Sequence, residues 1–460
     1  MRTRLFEKSV LSFSVVLGLI IVGISIVLYN NGPRVRLVTF DRDPAQTSLS
    51  RGSSVTVRFD RPLEDRDYSN QISFEPEVNV STQTLPQAII ITLEENLDSS
   101  TSYELSIGPD VFDRTGKSMR STHTHQFDTT APRFVYLERN YEEFDGAEDM
   151  QDDTVWLSGV GQEPEALFSH PVITMFAAND QYVVIATRAE DEDLLTTINL
   201  ETREQRQEEL VLRGRINNLS LSPRGEVAIY SITPDFNTVS REYFNRFANR
   251  VDSISLTTGQ TVSLTDENDF FIKVTSIDLE NNGQVALVRD LEDTFYAISP
   301  YNDYDPVLVG SYIESLGFSA DGTSVIFRNI NGFTRYSVVD GSTGPVDYPV
   351  TGQLQSIREQ EGVVFVSSGT FSGGAVRNFI TRFDTTDTAS LVWSGSEESL
   401  LSFNSSYDTG YLALQLNPDE CRFDRLTPNA QCTNTLTAIV DSETGNELQR
   451  FDGFDLVWLP

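Results

Sequence analysis

Basic side chains are scarce in this sequence. Its 460 residues contain 34 Lys plus Arg against 68 Asp plus Glu, and the formal net charge is −34 at pH 7. Because proteins bind phosphate backbones through clustered Lys and Arg, this balance excludes a general nucleic-acid binder and disfavours docking on anionic lipid. The apolar share of 39% is nevertheless sufficient for folded cores, and the length indicates two or three domains.

Histidine is almost as scarce, with only His123, His125 and His170 in the chain. A Ser-His-Asp triad would need one of these three, and the sequence contains neither a Gly-x-Ser-x-Gly elbow nor a phosphate-binding glycine loop. His123 and His125 have a spacing that can hold a metal, but no Cys or third His lies nearby. We therefore expect a solvated edge strand there, and predict no cofactor, no metal and no enzymatic activity.

Carboxylates, in contrast, are abundant, and they leave two alternatives open. A pair of Asp or Glu side chains could support glycoside hydrolysis, although nothing in the sequence distinguishes one pair from the others. The acidic stretches Asp145–Asp153 and Glu190–Asp193 offer the oxygen ligands that Ca²⁺ prefers, but neither follows the EF-hand spacing. Solvated, mutually repelling loops are the expected role of both stretches.

The longest apolar run lies near the N-terminus. Residues 9–29 contain no charged side chain, and 21 helical residues at about 1.5 Å each span roughly the 30 Å hydrocarbon core of a bilayer. No small-x-small cleavage site is evident, so this run predicts a single transmembrane anchor rather than a cleaved signal peptide. Residues 1–8 would then form a cytoplasmic tail.

Only two cysteines are present, Cys421 and Cys432, and both lie in a polar stretch with two prolines. A disulfide between them would close a short loop and contribute about 2–3 kcal/mol in the chain-entropy model; two unpaired thiols are the alternative. Disulfides persist outside the cytosol. The cysteines therefore favour a single-pass cell-membrane protein whose large C-terminal region is extracytoplasmic.

The region 34–131 is predicted to be a β-sandwich, because short runs alternate apolar and polar residues between turns. The clearest runs are Ser54–Phe59, Ala88–Leu93 and Ser102–Ile107. Turn and strand-end features recur in order at Tyr103, Asp113, Gly116, Phe127 and Thr129. With the segments SVTVRFDRPL and VFDRTGKSM, these features resemble bacterial Ig-like domains of S-layer and other envelope proteins. The resemblance implies a spacer or presentation module.

The region 132–460 contains an internal repeat of an apolar strand, a polar turn and a more apolar strand, each followed by a second hairpin. Four strands per unit at this period predict β-propeller blades. The turn markers, which recur every 39 to 58 residues, are Asp180, Gly225, Gly283, Gly322, Gly362 and Gly410. The copies LSPRG and FSADGTSVIF resemble the repeats of TolB-like propellers, a family in which many members are envelope proteins that bind other proteins.

The two ends of this region are predicted to share one blade. Residues 134–138, 154–158 and 165–169 supply three strands without a leading one, whereas 454–459 is a leading strand without a blade. Joining them gives seven blades and removes two exposed sheet edges. The predicted fold is therefore all-β: a transmembrane helix, an Ig-like sandwich and a seven-bladed propeller closed by its C-terminal strand.

An insertion at residues 233–249 is the best candidate for a binding surface, because interface hot spots favour aromatic and Arg side chains. The same rings packing onto the propeller's own rim is the alternative. The candidate residues are Phe236, Arg241, Tyr243, Phe244, Arg246 and Phe247. We expect a non-catalytic envelope protein that binds a protein or a cell-envelope glycan, with a carboxylate-dependent hydrolase acting in the propeller funnel as the alternative.

Overall fold

The computed structural model describes two compact units, Met1–Thr130 and Ala131–Pro460. The described residues are 32–41, 44, 49, 53–95, 97–139, 152–189, 192–319, 321–360, 362–372, 375–384, 389–395, 399–417, 432 and 434–460. The predicted tail at 1–8 and anchor at 9–29 lie outside these ranges. Within them, no helix has the length and apolar character needed to cross a membrane.

The first unit is an Ig-like sandwich of two antiparallel sheets. One sheet has the strand order β1-β2-β5-β4 and the other β3-β6-β7. The strands are β1 Val35–Phe40, β2 Ser54–Phe59, β3 Ile72–Glu75, β4 Val80–Leu85, β5 Ala88–Leu93, β6 Ser102–Ile107 and β7 His123–Asp128, with a short 3-10 helix at Ser69–Gln71. Alternate residues of both sheets, such as Val57, Ile89 and Leu105, are fully buried in one shared core.

The second unit contains seven four-stranded antiparallel sheets, named blades I to VII. Blade I contains β8 Arg133–Glu138, β9 Asp153–Gly159 and β10 Glu165–His170; blade II, β11 Ile173–Ala178, β12 Tyr182–Arg188, β13 Asp193–Asn199 and β14 Gln205–Gln207; blade III, β15 Arg215–Leu221, β16 Val227–Thr233, β17 Arg250–Ser255 and β18 Thr261–Ser263; blade IV, β19 Ser276–Leu279, β20 Ala286–Arg289, β21 Thr294–Ile298 and β22 Val307–Ser311.

The remaining blades follow the same order of four strands. Blade V contains β23 Glu314–Phe318, β24 Ser324–Asn329, β25 Gly332–Ser337 and β26 Thr343–Val346; blade VI, β27 Gln353–Gln360, β28 Val363–Ser372, β29 Ala375–Phe383 and β30 Ala389–Gly395; blade VII, β31 Ser399–Ser405, β32 Tyr411–Asn417, β33 Leu436–Asp441 and β34 Glu447–Asp452. The last strand, β35 Phe454–Trp458, pairs antiparallel with β8 and completes blade I. The predicted all-β fold, an Ig-like sandwich with a seven-bladed propeller, is confirmed.

The blades form a complete ring through their innermost strands. These strands are β35, β11, β15, β19, β23, β27 and β31, and each contacts the next around the ring, including β31 with β35 and β35 with β11. The second strand of a blade is apolar on both faces, as in Val227–Thr233, because it is covered by a neighbouring blade on each side. Hydrophobic burial between blades therefore holds the ring together.

Buried ion pairs also join neighbouring blades. Asp193, at the start of β13 in blade II, is fully buried. Its Oδ1 lies 3.2 Å from Arg188 Nε and 3.0 Å from Arg215 Nη1, while its Oδ2 accepts a 2.9 Å hydrogen bond from the backbone N–H of Ile216. Since Arg215 and Ile216 belong to blade III, this single carboxylate fixes the start of the next blade.

Asp153 of blade I repeats this arrangement at the same blade position. Its Oδ2 lies 2.6 Å from Arg139 Nη1 and accepts a 3.0 Å hydrogen bond from the backbone N–H of Ile173 in blade II. The expectation that the two acidic stretches form solvated loops is wrong for their last residues, Asp153 and Asp193. Both carboxylates are buried because Arg side chains and a backbone amide of the next blade satisfy them; residues 140–151 and 190–191 lie outside the described ranges.

Tyr230 is a buried polar group with an unsatisfied hydroxyl. It lies fully buried in β16, its hydroxyl has no hydrogen-bond partner among the residues that the structure describes, and burial raises its pKa. Removing an unsatisfied buried hydroxyl removes a desolvation penalty, so we expect Tyr230→Phe to raise the free energy of unfolding by about 1 kcal/mol.

The matched control is Tyr68→Phe in the Ig-like unit. The Tyr68 hydroxyl donates to the carbonyl of Phe112 at 3.1 Å, so its removal is expected to lower the free energy of unfolding by about 1 kcal/mol. Urea unfolding of both variants measures the two changes. A loss of stability in Tyr230→Phe as large as in the control would contradict the unsatisfied hydroxyl.

Candidate interaction surface

The insertion at 233–249 connects the second and third strands of blade III, and the structure gives it a short helix, α1, at Arg241–Phe247. Ser240 starts the helix, because its Oγ accepts a hydrogen bond from the backbone N–H of Tyr243 at 3.2 Å. Glu242 lies in the first turn and Arg246 in the last, in agreement with the helix dipole. The helix therefore has a defined orientation on the blade.

One aromatic side chain anchors α1 to the propeller. The ring of Phe247 packs against the core between blades II and III and lies 5.3 Å from the ring of Phe271, centroid to centroid. The guanidinium of Arg250, which is buried and paired with Asp252 at 2.8 Å, lies 4.8 Å above the Phe271 ring. Phe247 thus follows the alternative interpretation of the sequence, in which the rings pack onto the rim.

The other candidate residues face outward to different degrees. Phe236 is 57% exposed and Tyr243 41% exposed, while Phe244 is half-buried and meets Phe236 edge to face at 5.1 Å. Arg241 and Arg246 are exposed, and neither forms an ion pair within the described part of the chain. Both cations lie on the same helix as Tyr243, and the Arg246 guanidinium lies 5.3 Å from the centre of the Phe247 ring.

The neighbouring connection between β18 and β19 adds residues that the sequence reasoning missed. Phe270 is 69% exposed there, and Lys273 donates a hydrogen bond from Nζ to the carbonyl of Asn245 on α1. Asp266 Oδ1 accepts hydrogen bonds from the backbone of Asn268 and Phe270, which fixes the turn. The available signal was the aromatic pair Phe270-Phe271, which directly follows the polar run at residues 265–269. We name Phe236, Arg241, Tyr243, Arg246 and Phe270 the α1 surface.

The innermost strands carry a polar cluster in the region proposed for the alternative hydrolase. Burial raises the pKa of Asp278 in β19, against the opposing effects of a hydrogen bond with Ser315 in β23 and the positive charge of Arg358 in β27. Burial likewise lowers the pKa of Arg358, which donates a hydrogen bond to the carbonyl of Leu316. The cluster therefore connects three successive blades through one carboxyl group and one guanidinium.

Two of the three histidines, His123 and His125, lie on β7 of the first unit. The rings of His123 and His125 are on the face of β7 that points toward the core, because they stand opposite Ile107 and Leu105. Both are half-buried rather than solvated, and burial lowers the pKa of His125. Across the described ranges, no group of three or more His, Cys, Asp or Glu side chains is placed to hold a metal ion.

The structure describes only one of the two cysteines of the predicted disulfide. Cys432 is disulfide-bonded, and it is 5% exposed at the end of the insertion between β32 and β33. Cys421, the other cysteine of the chain, lies outside the described residues. The pairing of Cys421 with Cys432 stays a prediction.

Comparison with known proteins identifies the first unit. Residues 32–129 match the bacterial Ig-like domain family. No curated protein sequence matches the chain. Among solved structures, the chain is similar to TolB from Acinetobacter baumannii, with 11% identity, 84% of this chain and 82% of that chain covered, and a TM-score of 0.39.

Two further solved structures are similar to this chain over about half of their own length. The tricorn protease is 11% identical, with 92% of this chain and 48% of that chain covered and a TM-score of 0.44. A prolyl endopeptidase is 10% identical, with 83% of this chain and 50% of that chain covered and a TM-score of 0.47. The propeller assignment itself rests on the seven sheets and their ring of contacts.

Proposed function

We propose that this chain is a non-catalytic, membrane-anchored protein of the cell envelope that binds a protein partner through the α1 surface. The observation that carries the proposal is the exposure of Tyr243, Arg241 and Arg246 on a helix anchored by Phe247, together with the exposed ring of Phe236 in the loop before that helix. Rigid aromatic rings and Arg are the side chains that dominate binding energy at interfaces. The match of residues 32–129 to bacterial Ig-like domains and the apolar run at 9–29 support the location.

The test compares substitutions of the exposed residues Phe236 and Tyr243 with a substitution of Phe247, which anchors α1 to the propeller. In chemical crosslinking on intact cells, Phe236→Ser with Tyr243→Ser is expected to lose the captured partner, while the melting temperature falls less than in Phe247→Ser. Phe247→Ser is expected to lower the melting temperature, because it opens a cavity under α1.

The matched control is Tyr301→Ser with Tyr304→Ser, since these tyrosines are 48% and 41% exposed and lie in the connection between β21 and β22. The control variant is expected to keep the partner. An unchanged set of partners in the Phe236 and Tyr243 variant would contradict binding at the α1 surface.

The alternative hydrolase rests on one observation, the raised pKa of Asp278 on an innermost strand. A general acid needs a raised pKa, but it also needs a carboxyl group that is free to reach substrate. Asp278 is instead engaged by Ser315 and faces the charge of Arg358. We therefore assign this cluster a structural role in joining blades IV, V and VI, and favour the binding function.

A further inference from the structure

The two histidines of the Ig-like unit lie where its two sheets meet at one edge. β1 is an edge strand of the first sheet and β7 is an edge strand of the second. The Phe40 ring of β1 lies 5.9 Å from the His125 ring and 4.8 Å from the Phe127 ring of β7, centroid to centroid. His123 stands on the same face of β7, two residues before His125. We name Phe40, His123, His125 and Phe127 the histidine edge.

The surroundings of the histidine edge are apolar. His125 stands opposite Leu105 of β6, and His123 stands opposite Ile107 of the same strand. Both of these partners are fully buried. The side chains of β1 that pack against the core are apolar as well: Val35, Val38 and Phe40. The two imidazole rings are therefore half-buried among apolar side chains of the neighbouring strands.

The charged side chains of these strands offer the two rings no counter-charge. Glu104 of β6 and Asp128 of β7 lie on the opposite face of the sheet, and each accepts a hydrogen bond there from a polar side chain of the neighbouring strand. Arg36 of β1 is exposed and is itself a cation. Tyr103 of β6 shares the face of the histidines, but burial raises its pKa, so it is uncharged at neutral and acidic pH. On β1, β6 and β7, therefore, no carboxylate faces the histidine edge.

Protonation of these rings opposes the packing of β7 against β1. A half-buried imidazole loses hydration when it is charged, and a second imidazolium two residues away on the same face adds repulsion between like charges. Burial, and after it the charge of His123, lowers the pKa of His125 below its ordinary value of 6.5. Because the pKa in the folded state lies below that in the unfolded state, the stabilising contribution is fully present above pH 6.5. It is lost as the pH falls through the lower folded pKa.

We infer that the histidine edge is an acid-sensitive latch, which holds β1 against β7 at neutral pH and loosens both strands when its histidines are protonated. The inference goes beyond the proposed function and does not depend on the α1 surface. β1 is the first strand after the apolar run at 9–29, so the latch lies at the start of the unit that follows the predicted anchor. At the proposed extracytoplasmic location, the pH outside the cytosol sets how firmly this first strand is held.

Hydrogen exchange of the full chain at about pH 7.5 and about pH 5, corrected for the pH dependence of intrinsic exchange, tests the latch. In acid, peptides that cover β1 and β7 are expected to lose at least about threefold more protection than peptides that cover β2 and β5. His125→Phe with His123→Gln removes both protonation sites and keeps a ring against Phe40, so it is expected to abolish this difference. His170→Gln, in β10 of the propeller, is the control and is expected to leave the difference unchanged.

A second readout follows the protonation itself and leaves His125 unaltered. Because the chain has only three histidines, labelling of the imidazole Cε1 gives three NMR signals that a pH titration of the full chain follows separately. His123→Gln and His170→Gln assign two of these signals, and the third belongs to His125. That signal is expected to titrate below pH 6.5. His123→Gln also removes the neighbouring positive charge, and is expected to reduce the loss of protection in acid.

Three results would overturn the latch. The first is an equal loss of protection in acid at β1, β7, β2 and β5, which would show that the loss is not confined to the histidine edge. The second is the same selective loss in the double variant as in the unaltered chain. The third is a His125 signal that titrates at or above pH 6.5. None of these results bears on binding at the α1 surface, which the crosslinking experiment tests separately.

Discussion

Replacing Trp458 with Ala is expected to lower the free energy of unfolding of the propeller by about 3–5 kcal/mol. Trp458 is 2% exposed at the end of β35, where its indole meets the Phe134 ring edge to face at 5.3 Å. Its Nε1 donates a 3.3 Å hydrogen bond to the carbonyl of Asn404 in blade VII. The side chain therefore packs within the composite blade and against the blade beside it, and its removal leaves a large cavity.

The measurement is calorimetric unfolding of Trp458→Ala beside Leu448→Ala. Leu448 lies on the outer strand β34 and is 48% exposed, so its truncation is expected to cost less than about 1 kcal/mol. Deletion of 454–460 is expected to have a larger effect than Trp458→Ala, because it also removes the strand that pairs with β8. A deletion variant that melts like the full chain would contradict the closure of the ring through β35.

Replacing Asp193 with Ala is expected to cost a similar amount, about 3–5 kcal/mol. The substitution leaves Arg188 and Arg215 without their shared carboxylate and the N–H of Ile216 without its acceptor. Asp193→Asn is expected to cost less than Asp193→Ala, because the amide oxygen still accepts one of these hydrogen bonds. Urea unfolding at neutral pH measures all of these variants.

Glu165→Ala is the matched control for the buried pair. Glu165 lies 2.6 Å from Arg203, a shorter distance than in the Asp193 pairs, but the two side chains are 57% and 41% exposed. Solvent screens such a pair, and its loss is expected to cost about 0–1 kcal/mol. Equal losses of unfolding free energy in Asp193→Ala and Glu165→Ala would show that the burial of Asp193 does not determine how much its ion pairs stabilise the fold.

Much of the fold follows from periodicity in the sequence. The predicted strands Ser54–Phe59, Ala88–Leu93 and Ser102–Ile107 have the same bounds in the structure. The turn markers Gly283 and Gly322 have φ of 70° and 72°, the left-handed region that favours glycine. These features are local, so the order of residue types along the chain is sufficient to predict them.

The contacts between blades could not be predicted in the same way. Asp153 and Asp193 stand in acidic stretches, and only the partners on the next blade turn them into buried structural groups. The candidate surface was predicted as one set of six residues, and the structure separates Phe247, which anchors α1, from the exposed Phe236 and Tyr243.

The composite blade has a consequence for the time at which the propeller becomes complete. Strand β8 begins at Arg133 and its partner β35 at Phe454, so synthesis of the intervening chain takes about 16–64 s at 5–20 residues per second. During that interval the inner edge of β8 has no partner and exposes unpaired backbone groups. The ring can therefore close only after almost all of the second unit has been synthesised, and until then the growing chain carries an open strand edge at β8.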